Sequence, residues 1–231
     1  MNPTNIRVAV VGGHGKIAML LTRLLTERGD EVTALIRNPE HEAEVRSAGA
    51  TAQVADVESM TTEEITQVFA GHQAVVFAAG AGGGDPDRTY AVDRDAAIAC
   101  ADAARSSGAS RFVLLSYFGA GPDHGVPSDS GFFPYAEAKA AADEYVRGSP
   151  GLSWTILGPS ALTDEEGTGT IDARADKADQ VSRADVAATI VAVLHDDSTA
   201  GKTICFNDGD TAIPEAVATA STQSSPGSTG R

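Results

Sequence analysis

The chain has 231 residues, enough for one α/β domain with a substantial core and too few for two independent ones. Its formal net charge of −15 repels nucleic acid and anionic membranes, so neither is expected as a partner. Cys100 and Cys205 lie far apart without CxxC or CxxxH spacing, which suits reduced core residues in a cytoplasmic protein better than a disulfide framework or a zinc site. The histidines form no HxxxH pair, so no metal is expected. Met1-Asn2-Pro3-Thr4 has neither the basic nor the apolar region of an export signal, and no stretch is apolar for the length of a membrane span.

Ile6 to Val11 reads as a buried strand, Lys16 to Arg28 repeats apolar residues at helical spacing, and Glu31 to Ile36 reads as the next strand. The glycines between strand and helix follow G-x-x-G-x-x-A, with Gly13 extra. Gly12 lets the chain turn sharply, Gly15 lets a pyrophosphate approach the helix N-terminus, and Ala18 lets helix and strand pack closely. A dinucleotide site that prefers NAD usually ends its second strand in a carboxylate. Here the strand runs into Ile36-Arg37-Asn38-Pro39, and a guanidinium at that place favours the 2′-phosphate of NADP. Ala52 to Val57 reads as a third strand, whose Asp56 could accept from the adenine amine or cap a turn.

Thr62 to Ala70 then reads as a helix, Ala74 to Ala79 as a fourth strand and Gly80 to Gly84 as a loop. Asp85 is placed to cap, and Pro86 to start, a helix running to Ser107. Arg111 to Leu115 reads as the fifth strand, Tyr117 to Phe133 as an irregular excursion, Pro134 to Arg147 as a helix and Leu152 to Leu157 as the sixth strand. Ser182 to Leu194 reads as a helix, Thr203 to Asn207 as a strand and Pro214 to Ala220 as a short helix. Alternation of this kind predicts a single doubly wound α/β domain over 1–220, with a parallel sheet between two helical layers. Residues 221–231 read as a disordered tail. Gly12, Arg37, Gly80, Ser116 and Gly158 should open on one crevice at the strand carboxyl ends.

Tyr135-Ala136-Glu137-Ala138-Lys139 puts a phenol and an ammonium one helical turn apart on one face, and Ser116 lies at the end of the fifth strand. The serine hydroxyl can polarise a carbonyl. The phenol needs a nearby cation to exchange protons near neutrality, and Lys139 supplies one while reaching the nicotinamide ribose. Phe118, Phe132 and Phe133 make the 117–133 excursion partly aromatic, which suits a planar or apolar acceptor or simple lid packing.

These segments together, with Leu115-Ser116, Leu162-Thr163-Asp164-Glu165 and Val181-Ser182-Arg183-Ala184-Asp185-Val186-Ala187, resemble the short-chain dehydrogenase/reductase superfamily and its Rossmann fold. More narrowly, the chain is similar to the atypical NAD(P)H-binding or NAD-dependent epimerase/dehydratase-like members, the group that includes biliverdin reductase B and flavin reductase. The resemblance implies Gly12, His14, Gly15, Lys16 and Ile17 around the pyrophosphate, with Gly13 also among the cofactor-binding residues, Arg37 on the 2′-phosphate, and Asp56 with Val57 beside adenine. It also implies Ala78, Ala79 and Gly80 along the ribose, Lys139 and Pro159 on the cofactor, and Ser116, Tyr135 and Lys139 in catalysis. Where that group usually reads Arg-Pro-Gly after the sixth strand, this chain reads Gly158-Pro159-Ser160 and loses an arginine. The expected activity is NADPH-dependent reduction of a small-molecule carbonyl or conjugated acceptor by a monomer or homodimer. A non-catalytic NADPH sensor and an epimerase or dehydratase are the alternatives.

Overall fold

In the computed structural model, which describes residues 5–82, 84–109 and 111–222, strands and helices alternate along most of the chain. In order they are β1 (Arg7–Val11), α1 (Lys16–Arg28), β2 (Glu31–Ile36), α2 (Glu42–Ser47), β3 (Thr51–Val54), α3 (Thr62–Phe69) and β4 (Ala74–Phe77). There follow α4 (Pro86–Thr89), a π-helical segment (Tyr90–Ala96), α5 (Ala97–Ser107), β5 (Arg111–Leu115), α6 (Phe133–Arg147) and β6 (Ser153–Pro159). The last part holds β7 (Ala161–Thr163), β8 (Thr170–Asp172), β9 (Gln180–Ser182), α7 (Arg183–Leu194), β10 (Lys202–Asp208), β11 (Thr211–Ala212) and α8 (Ile213–Thr222).

The main sheet runs in the order β11-β8-β10-β6-β5-β4-β1-β2-β3. From β10 to β3 every pair is parallel, while β8 and β11 add an antiparallel edge. The domain is therefore the doubly wound α/β fold read from the sequence, with that edge and the small parallel β7–β9 pair as additions. Period-two alternation divides β1 between two cores. Val8 and Val10 pack with α1 and α7, and Ala9 and Val11 with α3, α5 and α6.

Several boundaries differ for local reasons. β6 continues past Leu157 because the Ser116 N–H donates to Leu157 O and the Phe118 N–H to Pro159 O, so the chain after β5 extends the ladder. Asp85 caps α4 through the Asp87 and Arg88 N–H groups, as expected. The long helix it opens then widens into the π-helical turns of Tyr90–Ala96. Ser182 is the N-cap of α7 and not its first residue. α8 runs on to Thr222, into the stretch read as the start of a tail; residues 223–231 lie outside the described residues. Among the described residues no helix is long and apolar enough to cross a membrane.

Candidate active site

The loop from β1 to α1 turns at Gly12, whose φ of 80° only glycine adopts freely. A Cβ there would lie 2.7 Å from the Ala79 Cα, so β4 can approach only because Gly12 is bare. Gly13 faces the opposite way: its N–H donates to Leu35 O at 2.8 Å, and a Cβ would lie 2.6 Å from that of Ala34. It ties the loop to β2 and lines neither of the cavities beside Gly12 and Gly15, against the expectation that it would take part in binding the cofactor. Gly15 is the N-cap of α1, no side chain caps the helix, and its first turn holds no acidic residue. The free N–H groups of such a terminus suit an anion.

Gly15, Lys16, Ile17 and Ala18 line a cavity of about 420 Å³ that also takes in Ser116, Tyr135, Lys139 and Pro159. On one side it shares Gly15, Ala78, Ala79 and Gly80 with a cavity of about 330 Å³ holding Gly12, His14, Arg37, Asp56 and Val57. On the other it shares Tyr135 with a cavity of about 550 Å³ walled by Asp85, Pro86, Ser130, Phe132 and Pro134. The strand carboxyl ends thus form one three-part crevice. Gly158 is not on it: a Cβ there would lie 2.8 Å from Cys205 Sγ and 3.0 Å from Tyr117 O. Where the resembling proteins carry arginine, this fold has no room for a side chain. Arg183, from the start of α7, lines the middle cavity instead and pairs with Asp164 at 2.7 Å, as Lys16 does at 2.5 Å.

In the cavity of about 330 Å³, Arg37 Nη1 donates to Glu58 Oε1 at 2.8 Å, and Arg88 Nη2 shares that oxygen at 3.4 Å. Although β2 ends without a carboxylate, folding brings Glu58 to the guanidinium from beyond β3. Asp56 lines the cavity and also caps its own turn, accepting from the Glu58 N–H at 3.3 Å. The His14 ring stacks on that of His41, centroids 3.6 Å apart, and its Nε2 lies 2.8 Å from Glu44 Oε2. His14 therefore stands in the wall of the cavity that holds Arg37 and Asp56, and not in that of Lys16 and Ile17.

At the other end, Lys139 is 2 % exposed and its Nζ donates to Leu115 O at 2.7 Å. Asp93 Oδ1 stands 3.5 Å away, an ion pair too long for a hydrogen bond, while Asp93 Oδ2 accepts from the Ala81 N–H at 3.0 Å. The π-helical turns around Asp93 bring its carboxylate into this buried place. Lys139 Nζ is 5.8 Å from the centre of the Tyr135 ring. Burial, followed by Asp93, Tyr117 and Asp143, pushes the Tyr135 phenol well above its ordinary range. The expected pull of Lys139 towards neutrality does not prevail: desolvation, and after it the surrounding carboxylates, sets the direction.

Ser116 Oγ donates to Asp143 Oδ2 at 2.9 Å. Phe132 packs against Tyr135, with centroids 5.2 Å apart, and edge-on to Tyr117. Phe133 instead packs against His124, so of the expected aromatic residues Phe132 is the one that faces the cavity. Sequence reasoning missed Glu58, Arg88, Asp93, Asp143 and Arg183. Asp143 carried a readable signal, standing four residues beyond Lys139 on the same helical face.

The model of the NAD(P)H-binding family matches residues 12–197. The uncharacterized sugar epimerase YhfK of Bacillus subtilis is 35% identical over 216 residues, covering 92% of this chain and 99% of that protein. A solved Bacillus halodurans protein, named as a candidate NAD-dependent epimerase/dehydratase, superposes with a TM-score of 0.85 at 34% identity, over 93% of this chain and 100% of that one. The oxidoreductase ylbE of Lactococcus lactis superposes with a TM-score of 0.81 at 29% identity, over 93% and 96%.

Proposed function

The chain belongs to the NAD(P)H-binding family, and on that premise we propose that it is an NADP(H)-dependent oxidoreductase that reduces a small carbonyl or conjugated acceptor. The observation that carries this reading is Tyr135, which stands in the wall common to the middle cavity and the partly aromatic outer one. A phenol there touches whatever enters from outside and whatever lies along the α1 N-terminus.

When bound, the reduced nicotinamide supplies a hydride. Tyr135 donates the proton that completes the reduction, and its raised pKa keeps it in the protonated form a reduction needs. Ser116, beside it, contacts the acceptor oxygen. Lys139 is fixed by a hydrogen bond to Leu115 O and the charge of Asp93; of its three donors two remain for the ribose hydroxyls. The α1 N-terminus, Lys16 and Arg183 hold the pyrophosphate side. Arg37 and Arg88 face the 2′-phosphate, and their two charges exceed that of Glu58, which is why NADP is preferred in this reading.

Titration with NADPH and NADH by fluorescence or calorimetry, followed by quinones, flavins and aldehydes with nicotinamide absorbance monitored, tests the proposal. Tight NADPH binding with acceptor-dependent oxidation is the expected result. Tight binding without oxidation of any acceptor would move the protein to the sensor reading. The similarity to a protein named as a sugar epimerase supports a second use of the same residues, in which hydride is withdrawn and returned. That reaction would interconvert sugar epimers with no net change in nicotinamide absorbance.

A further inference from the structure

Asp143 lies beside the reacting residues, and the reaction above leaves it unused. It shares a helical face with Tyr135 and Lys139, its side chain is 0 % exposed, and Ser116 Oγ stands 2.9 Å from Oδ2. Oδ1 has no hydrogen-bond partner among the described residues. An ionised carboxylate only accepts, so the single Ser116 proton must point at Asp143, leaving lone pairs towards the crevice. A neutral carboxyl can donate to Ser116 Oγ and so turn the serine proton outwards. Resting on the reductase reading, we propose that Asp143 is a positioning residue whose charge state aims the Ser116 hydroxyl: a donor to the acceptor oxygen when Asp143 is neutral, an acceptor only when it is ionised.

The groups facing the carboxyl are Tyr135, Lys139 and Arg147 from α6, Ser116 and Tyr117 from the end of β5, and Cys205 from β10. Arg147 Nη2 is 3.6 Å from Oδ2. Burial outweighs Ser116 and both cations and pushes the carboxyl up to about 6, where ordinary changes of pH move it. No proton is consumed at Asp143: the hydride goes to the acceptor carbon, the Tyr135 proton to its oxygen, and Tyr135 is reprotonated from solvent.

The test has two arms. With phenanthrenequinone and NADPH, wild-type kcat/KM should fall about tenfold or more from about pH 5 to about pH 8, the scale of losing one aligned donor. Asp143→Asn, whose amide can donate to Ser116 at any pH, should hold its rate across that range, and Ser116→Ala should be slow throughout. Independently of activity, the Asp143 carboxyl in ¹³C-aspartate-labelled protein should titrate near 6 and move upward in Ser116→Ala, which removes the hydroxyl donor. An Asp143 midpoint unmoved by Ser116→Ala, or an Asp143→Asn profile that follows the wild type, overturns the assignment. Should Asp143→Asn fail to fold, the wild-type and Ser116→Ala titrations decide. Absence of turnover with any acceptor at any pH overturns the reductase reading itself, whereas turnover with unaltered profiles overturns the role of Asp143 alone.

Discussion

Arg37 reaches the cavity beside Gly12 and Asp56 already paired, sharing one Glu58 oxygen with Arg88. A 2′-phosphate would compete with a half-exposed ion pair that holds the guanidinium only weakly. Arg37→Ala should therefore weaken NADPH by about 10- to 100-fold, the scale of one charge-assisted contact, and NADH by less than about threefold. Equal losses in a fluorescence titration would remove Arg37 from the phosphate site. Tyr135→Phe should lower turnover by about 10²- to 10⁴-fold while NADPH affinity changes little, as for a lost proton donor; retained turnover would exclude the phenol. Asp143 carries a stability signature as well. Its folded pKa is raised from 3.8 to about 6, so its contribution is fully present below the unfolded value and is lost as pH rises through the folded one. Relative to wild type, Asp143→Asn should gain about 3 kcal/mol between about pH 4 and about pH 8. Denaturant melts at both ends of that range would read it, and a constant difference would mean that Asp143 is not held up by burial.

The elements divide into those that their own residues specify and those that neighbours impose. α1 and α6 were legible from helical spacing, and the Tyr135–Lys139 pair came with α6. The π-helical turns of Tyr90–Ala96 were not legible, because their wider spacing follows from seating Asp93 against Ala81 and Lys139, both remote in sequence. β7, β8 and β9 escaped notice because strands of three residues are too short to display a period. α7 is secured at its far end by Arg111, which donates to Val193 O at 2.7 Å, Thr155 Oγ1 at 2.7 Å, Thr199 Oγ1 at 2.5 Å and Ser153 O at 2.9 Å. Burial lowers its pKa to about 10, against the pull of Asp197 and Asp196. Arg111→Ala should cost about 3 to 5 kcal/mol, since it leaves buried acceptors unmet on three elements. Thermal melts would check this, and a loss below about 1 kcal/mol would show that the acceptors find other donors.

At the scale of the whole molecule, the family match ends at residue 197, but the sheet does not. β10 lies between β6 and β8, its Phe206 and Ile204 are buried, and Ala216 and Val217 of α8 join the same core. A chain ending at residue 201 would expose one face of that core and the unpaired edge of β6. It should lose cooperative thermal unfolding by circular dichroism, and a transition like that of the full chain would show that β10 is dispensable. Because the strands from β10 to β3 run parallel, their carboxyl ends lie on one edge, and residues as distant as Gly12, Arg37 and Ser116 open on it.

The sequence by itself determined the alternation of strands and helices, the glycine turn at Gly12 and Gly15, and the candidate roles of Arg37, Ser116, Tyr135 and Lys139. Each of these depends on local spacing or on strand order, which short-range physics dictates. Only the tertiary structure decided that Gly13 serves β2, that Gly158 is walled in by Cys205 and Tyr117, and that Glu58 answers Arg37. It alone decided that burial, and after it Asp93 and Asp143, raise the Tyr135 phenol. Charges and burial act through space, and the carboxylates that set this site come from segments whose sequence positions do not reveal where they meet.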